Sequence, residues 1–281
     1  MAAGSQGAHS TPTTQDTQNT QDAHKTQSTQ NTQGWSRRAI LRVGKRARAP
    51  FDRVLSRYSA VGDPAVLDPA RFSALAPLEA AWKEVRDEAD AVLRRPELLP
   101  PLRRISPDHE RIAGGDAWKS YILYGYGFRV EANCTRCPRT VAGLEQIPGL
   151  FTAMFSVMSP RGRLAPHRGV SKAIITCHLP LRVPGGPELC GISIDGTTYG
   201  WQEGRWLVFD DTRRHSVWND TGAPRVVLLL HLRRPLRFPG SLAGSFFLEA
   251  VRRSPFIRDA RRNQATWDAG LEAEPDAGSA P

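Results

Sequence analysis

From Phe151 onward the apolar residues of this chain fall into short runs of strand length, whereas before it they recur mainly at helical spacing. Between Ser73 and Leu93, the residues Leu75, Leu78, Ala81, Trp82, Val85 and Ala89 share one face of a helix. The spacing predicts a single amphipathic helix there, ended by Pro96, Pro100 and Pro101. Trp118 to Phe128 alternates polar and aromatic residues as a strand does, and a short helix is expected around Val141 to Gln146. Phe155 to Met158 reads as a strand closed by the turn Ser159 to Gly162, and Lys172 to Leu181 as another. Glu188 to Ile194 and Thr197 to Trp201 flank Asp195-Gly196, the best hairpin signal in the chain. Arg205 to Phe209 and Arg225 to Leu232 complete the strands. Short strands divided by Gly, Pro and Asp turns predict a mainly β domain with flanking helices, built as an antiparallel sandwich or barrel. After Pro239 helical spacing returns, with Phe246, Phe247, Leu248, Ala250 and Val251 expected to pack back, before an acidic tail frays beyond Asp268.

Side-chain alternation sharpens two of these strands. Arg225, Val227, Leu229 and His231 face one way, and Val226, Leu228, Leu230 and Leu232 the other. Both faces are mostly apolar, so this strand is expected between a barrel interior and a covering helix. In Lys172 to Leu181 the same rule puts Ile174, Thr176 and His178 on one face. An arginine at the mouth of an apolar interior is costly unless paired, and a bidentate carboxylate is its natural partner. Taken alone, Arg225 reads more readily as an arginine at the solvent end of its strand, His178 as a satisfied core histidine and Ser156 as a strand hydroxyl.

Composition sets the organisation around this core. Residues 1–34 are built largely of Thr, Gln, Asn, Asp and Ser, with no Phe, Tyr, Trp, Val, Ile or Leu, and are expected to be a disordered tail. A basic and helical region, 35–110, is expected to pack on a β core at 111–238, followed by a C-terminal helix and frayed tail at 239–281. No apolar run approaches the roughly 18 residues of a spanning helix, and the start lacks the basic and apolar parts of a signal peptide. A cytoplasmic location is therefore the expectation. The net charge of +10 favours anionic partners and allows peripheral contact with anionic lipid. No nucleic-acid-binding motif accompanies the charge, so no nucleic-acid partner is expected. Cys134 and Cys137 form a C-x-x-C, but Cys177 and Cys190 are poorly spaced for a zinc site, and structural thiols are the simpler reading.

The chemistry concentrates at two histidines 48 residues apart, His167 in Pro-His-Arg-Gly and His215 in Arg-Arg-His-Ser-Val-Trp-Asn. His167 is placed at a strand entry after a Pro/Gly turn. Neutral imidazole is a good ligand for iron, copper, nickel or zinc.

Taken in order, Ser156, Pro166-His167-Arg168-Gly169, His178, Tyr199-Gly-Trp-Gln-Glu-Gly204, Phe209-Asp-Asp-Thr-Arg-Arg-His215-Ser-Val-Trp218-Asn and Arg225-Val-Val-Leu-Leu-Leu resemble the aspartyl/asparaginyl β-hydroxylase family. The resemblance covers roughly Asp116 to Pro235. It implies a double-stranded β-helix (a jelly-roll, cupin-like core) and an Fe(II)- and 2-oxoglutarate-dependent dioxygenase. By it, His167 and His215 are the metal ligands, and Arg225 and Ser156 hold the distal carboxylate of 2-oxoglutarate. His178 meets the carboxylate at the metal, and Trp118 lines the pocket. The family commonly carries an arginine two residues before His178, where this chain has Thr176. Gly169 stands where many related oxygenases carry Asp or Glu, and the aspartyl hydroxylases are similar in having glycine. Asp210 and Asp211 are candidate acceptors around the metal or shape the approach to His215.

The resemblance implies oxidative decarboxylation of 2-oxoglutarate to succinate and CO2, coupled to hydroxylation of a C–H bond. An Asp/Asn-type amino acid, peptide or protein, anionic in character, ranks first as substrate. An acyl chain of lipid A ranks second, because lipid hydroxylases tend to carry a membrane anchor and a carboxylate at the Gly169 position. A non-catalytic β-barrel binding module is the remaining alternative.

Overall fold

The computed structural model describes residues 48–107, 110–113 and 115–273. The expected tail, 1–34, lies outside the described residues. The chain divides after Phe51; of the first unit only the helical residues 48–51 are described. The second unit, from Asp52 on, carries every strand.

Eleven strands are formed among the described residues: β1 (Val66–Leu67), β2 (Trp118–Gly125), β3 (Phe128–Arg129), β4 (Leu150–Met158), β5 (Gly162–His167), β6 (Ile174–Arg182), β7 (Cys190–Ile194), β8 (Thr197–Tyr199), β9 (Leu207–Phe209), β10 (His215–Asn219) and β11 (Arg225–Arg233). A seven-stranded sheet runs β1-β9-β6-β11-β4-β2-β3, and a four-stranded sheet runs β5-β10-β7-β8. All pairings are antiparallel. These two facing sheets are the double-stranded β-helix expected from the family resemblance. The hairpin at Asp195-Gly196 forms as the dipeptide demands, with both residues at positive φ.

The two faces of β11 sort as alternation predicts. Val227 and Leu229 join the barrel interior, with Met154, Met158, Ile192, Ile194, Phe209 and Val217. Val226, Leu228, Leu230 and Leu232 join the opposite cluster, beneath the helices α1 (Ala76–Ala80), α2 (Trp82–Leu93) and α3 (Pro138–Leu144). Leu78, Val85, Ala89, Val92, Val141 and Leu144 close that cluster. Fully burying an aliphatic side chain of this size contributes roughly 1.5–3 kcal/mol, so a strand buried on both faces is firmly held.

Several local expectations are corrected. The helix expected over 73–93 is broken at Ala81, with φ −94° and ψ 21°. The break aims Trp82 across Gly204, where an added Cβ would meet the indole at 2.7 Å. The strand expected over Trp118–Phe128 turns at Tyr126-Gly127, both at positive φ. Two helices, Glu131–Arg136 and Pro138–Leu144, stand where one at 141–146 was expected. Beyond the barrel lie α4 (Gly240–Arg252) and α5 (Pro255–Ala273), the latter passing the expected fraying point. Phe246 does not pack back: it is 78% exposed, while Leu248 is buried. All four cysteines are free and buried, and burial pushes the Cys137 thiol up to about 12.

Candidate active site

His167 is the last residue of β5 and His215 the first of β10, and the two are direct cross-strand partners. The expected strand entry for His167 is thus a strand end. A register irregularity follows His215, and the rings stand side by side, with centroids 4.1 Å apart. Each imidazole is steered by a carbonyl two residues back: His167 Nδ1 lies 2.8 Å from Ala165 O, and His215 Nδ1 lies 2.9 Å from Arg213 O. A carbonyl only accepts, so each Nδ1 carries the proton and each Nε2 keeps a free lone pair. Burial, then the neighbouring His215, pushes His167 down to about 4. Burial also lowers His215. Both rings are therefore neutral at pH 7, the form that binds metals.

Beside them, Gly169 has a specific reason to lack a side chain. A Cβ there would lie 2.1 Å from the Asp211 carboxylate carbon, so Asp211 fills the space a residue-169 side chain would take. Asp210 has a different occupation. Its carboxylate accepts from Thr212 Oγ1 at 2.6 Å, Lys172 Nζ at 2.5 Å and Arg234 Nη2 at 2.8 Å, away from any role as a metal-site acceptor. Among the described residues no group of three or more His, Cys, Asp or Glu is arranged to hold a metal. The histidines form a two-point site.

The barrel interior beyond them is polar where its walls are apolar. Cross-strand register puts Ser156 beside Val227 and Ser120, and Arg225 and Trp118 beside Met158, on one inward face. Arg225 is 1% exposed, with no hydrogen-bond partner for Nε or Nη1 and its guanidinium 4.8 Å from the Trp201 ring centroid. Burial lowers it to about 10. The solvent-end alternative for this arginine is therefore wrong. Trp118 Nε1 donates to Ser156 Oγ at 2.9 Å, which uses an acceptor lone pair and leaves the serine O–H to donate elsewhere.

His178 is buried, 5.1 Å from the Phe209 ring, and Phe209 in turn lies 5.7 Å from His215. Burial and then Arg225 hold His178 well below its usual range, so it is neutral. His178 Nδ1, Thr176 Oγ1, Ser120 Oγ and Trp201 Nε1 are also buried without partners. Buried polar groups are rarely left so. These unpartnered polar atoms, with the buried guanidinium of Arg225, suit a small dianion chemically, and the two Nε2 atoms suit a borderline divalent metal.

The structure thus brings together all six expected site residues, His167, His215, Ser156, His178, Arg225 and Trp118. Sequence reasoning gave no role to Ser120, Trp201 or Phe209, and it read Asp211 as a metal-site acceptor or a shaper of the approach to His215, whereas its carboxylate packs over Gly169. Ser120 was within reach, because alternation in β2 puts it on the same face as Trp118. Trp201 lies outside the strands, where no periodicity points inward.

The family model for aspartyl/asparaginyl beta-hydroxylase matches residues 79–235. The ornithine lipid ester-linked acyl 2-hydroxylase of Rhizobium tropici is 36% identical over 221 residues, covering 79% of this chain and 79% of that protein. The human aspartyl/asparaginyl beta-hydroxylase is 31% identical over 163 residues, covering 56% of this chain but 21% of that protein. A crystal structure of a Pseudomonas putida prolyl-4-hydroxylase overlaps 54% of this chain and 86% of its own, with 20% identity and a TM-score of 0.39, too loose a likeness to bear on activity.

Proposed function

The chain belongs to the aspartyl/asparaginyl β-hydroxylase family and is a hydroxylase, and from that premise we propose an Fe(II)- and 2-oxoglutarate-dependent oxygenase acting on an ester-linked acyl chain of a polar lipid. The observation that carries the cofactor reading is Arg225, a guanidinium buried in the barrel without any counter-charge from the described residues. A dicarboxylate supplies what the fold leaves out.

In this reading His167 and His215 hold the iron through Nε2, each ring fixed by its carbonyl. Iron bound there would activate O2, the oxidant, one oxygen atom of which would enter the C–H bond and the other succinate as 2-oxoglutarate is oxidised with loss of CO2. Arg225, with the Ser156 hydroxyl, binds the distal carboxylate, and Trp118 orients that hydroxyl. His178, neutral and carried on the same wall, faces the inner carboxylate. Thr176 offers a hydroxyl where the family's usual arginine is absent, so one fewer cation steadies the co-substrate here. Phe209 and Trp201 keep water from the space between metal and guanidinium.

The lipid reading reverses the substrate order expected from sequence. It is supported by the Rhizobium tropici relative, which matches over most of both chains, whereas the match to the human enzyme spans about a fifth of that protein. Gly169, shared with aspartyl hydroxylases, favours the second reading, β-hydroxylation of an Asp/Asn-type peptide. The test is incubation with Fe(II), 2-oxoglutarate and O2, offering ornithine lipid and an Asp/Asn-containing peptide separately. Succinate should form with gain of one oxygen on the lipid acyl chain. Oxygen gained only by the peptide would establish the second reading, and no metal-dependent succinate with either, together with no 2-oxoglutarate binding, would sink the cofactor assignment.

A further inference from the structure

The inner edge of α4 is cut to fit. Gly240, Gly244 and Leu248, four residues apart, are buried. A Cβ at Gly240 would meet Tyr58 Cβ at 2.4 Å, and one at Gly244 would meet Leu236 at 2.8 Å. The helix therefore lies close against the helical residues 52–58. Its outer edge has the opposite character: Leu242 is 62% exposed and Phe246, one turn on, 78%, while Phe238, in the turn that leads into the helix, is 76% exposed. Leu242 and Phe246 stand about 6 Å apart along the helix axis, and three large exposed apolar side chains this close in sequence are unusual on a free surface.

Cations flank it. Between residues 237 and 253 the charges are Arg237, Arg252 and Arg253 against Glu249 alone, a net of +2, and Glu249 is held by Arg252 and Arg253. Arg53, Val54 and Arg57 are exposed on the adjoining helical residues. We propose that this face, the outer edge of α4 with residues 53–57 beside it, is where the protein rests on an anionic lipid bilayer. Apolar side chains in a cationic frame match the acyl boundary and the negative headgroups together. A second copy of the chain fits poorly, because a two-fold contact would bring these arginines against one another. The inner edge of α4 also meets the connection that leaves His167. Gly244 approaches Ala173, in the connection that leaves His167, and Val170 in that connection is 60% exposed.

The proposal rests on the acyl-lipid reading, since a chain held in a bilayer is reached from its surface. Full-length protein is sedimented with vesicles of phosphatidylcholine, and with vesicles containing about one-third phosphatidylglycerol. Binding to the anionic vesicles is expected, falling about tenfold in Leu242→Asp/Phe246→Asp. Arg53→Glu/Arg57→Glu is expected to lose the preference for phosphatidylglycerol, which keeps the test sound should the first variant misfold. Fe(II) binding and succinate formation with a water-soluble short-chain acyl-ornithine should be unchanged in both. Equal sedimentation of wild type and variants overturns the proposal. So does a dimer in sizing that Leu242→Asp/Phe246→Asp dissolves, which would make the face a self-association surface. Vesicle binding that depends on these residues, in a protein that hydroxylates no acyl chain, upholds the docking face and removes the lipid reading of the active site.

Discussion

Two arginines at opposite ends of β11 are both buried, and their surroundings treat them in opposite ways. Arg234, just past the strand, is satisfied by protein: Nε donates to Lys172 O at 2.7 Å, Nη1 to Gly62 O at 3.2 Å and Nη2 to Asp210 at 2.8 Å. Arg225, opening the strand, has two nitrogens with no partner. The first is architecture, tying the connection after His167 to the end of the sheet. The second is an open valence. Burial alone says little about a charge; whether the fold completes its hydrogen bonds separates a scaffold from a binding group.

The largest test of that contrast is Asp210→Ala. It leaves Arg234, 0% exposed, without a counter-charge and Lys172, 11% exposed, with Asp63 as its remaining carboxylate partner. The expected loss is about 3–5 kcal/mol in urea denaturation; a loss below about 1 kcal/mol would show the hub to be ornamental. Arg225→Met should do the reverse. Ligand-free stability should hold or rise by about 1 kcal/mol, while the 2-oxoglutarate concentration for half-saturation should rise about 30- to 100-fold. Ferrous binding should stay as it was; equal weakening of both would mean Arg225 supports the metal site rather than the co-substrate.

Gly169→Ala probes the region between the two. Its Cβ must displace the Asp211 carboxylate, at an expected cost of about 1–3 kcal/mol. Most of that should vanish in an Asp211→Ala background, and a double-mutant cycle with no coupling would contradict the crowding. The smallest effect is in acid. Burial pushes the Asp210 carboxyl up, but Arg234, Lys172 and Thr212 pull it further down, leaving it below its ordinary value. Its stabilisation is thus complete above the unfolded carboxyl value of about 3.9 and is lost as pH falls through the lower folded value. Unfolding curves recorded below pH 4 should be flatter against pH in Asp210→Asn than in wild type.

Much of this was legible in the chain. Asp195-Gly196 and the two-faced run of β11 are local signals, and local signals survive folding. The six site residues came from motif order, and the structure gathers them. What sequence could not supply was who covers whom. Phe246 is as apolar as Leu248, and periodicity cannot say which of them the helix turns inward. The break at Ala81 follows from seating Trp82 on Gly204, a contact between residues far apart in sequence. Asp211 over Gly169 is likewise a meeting of two loops, invisible until β5 and β10 are paired.

β11 is bonded along nearly its whole length to β4 on one side and β6 on the other. A strand so flanked is among the last parts of a protein to open, because its amides exchange only when the sheet itself comes apart. Arg225 is mounted on that strand. Its guanidinium, 1% exposed, is held inside by the strand's pairing with β4 from Arg225 and with β6 from Val226 on. Under the proposed function the incoming carboxylate would offset a cost the fold itself does not relieve.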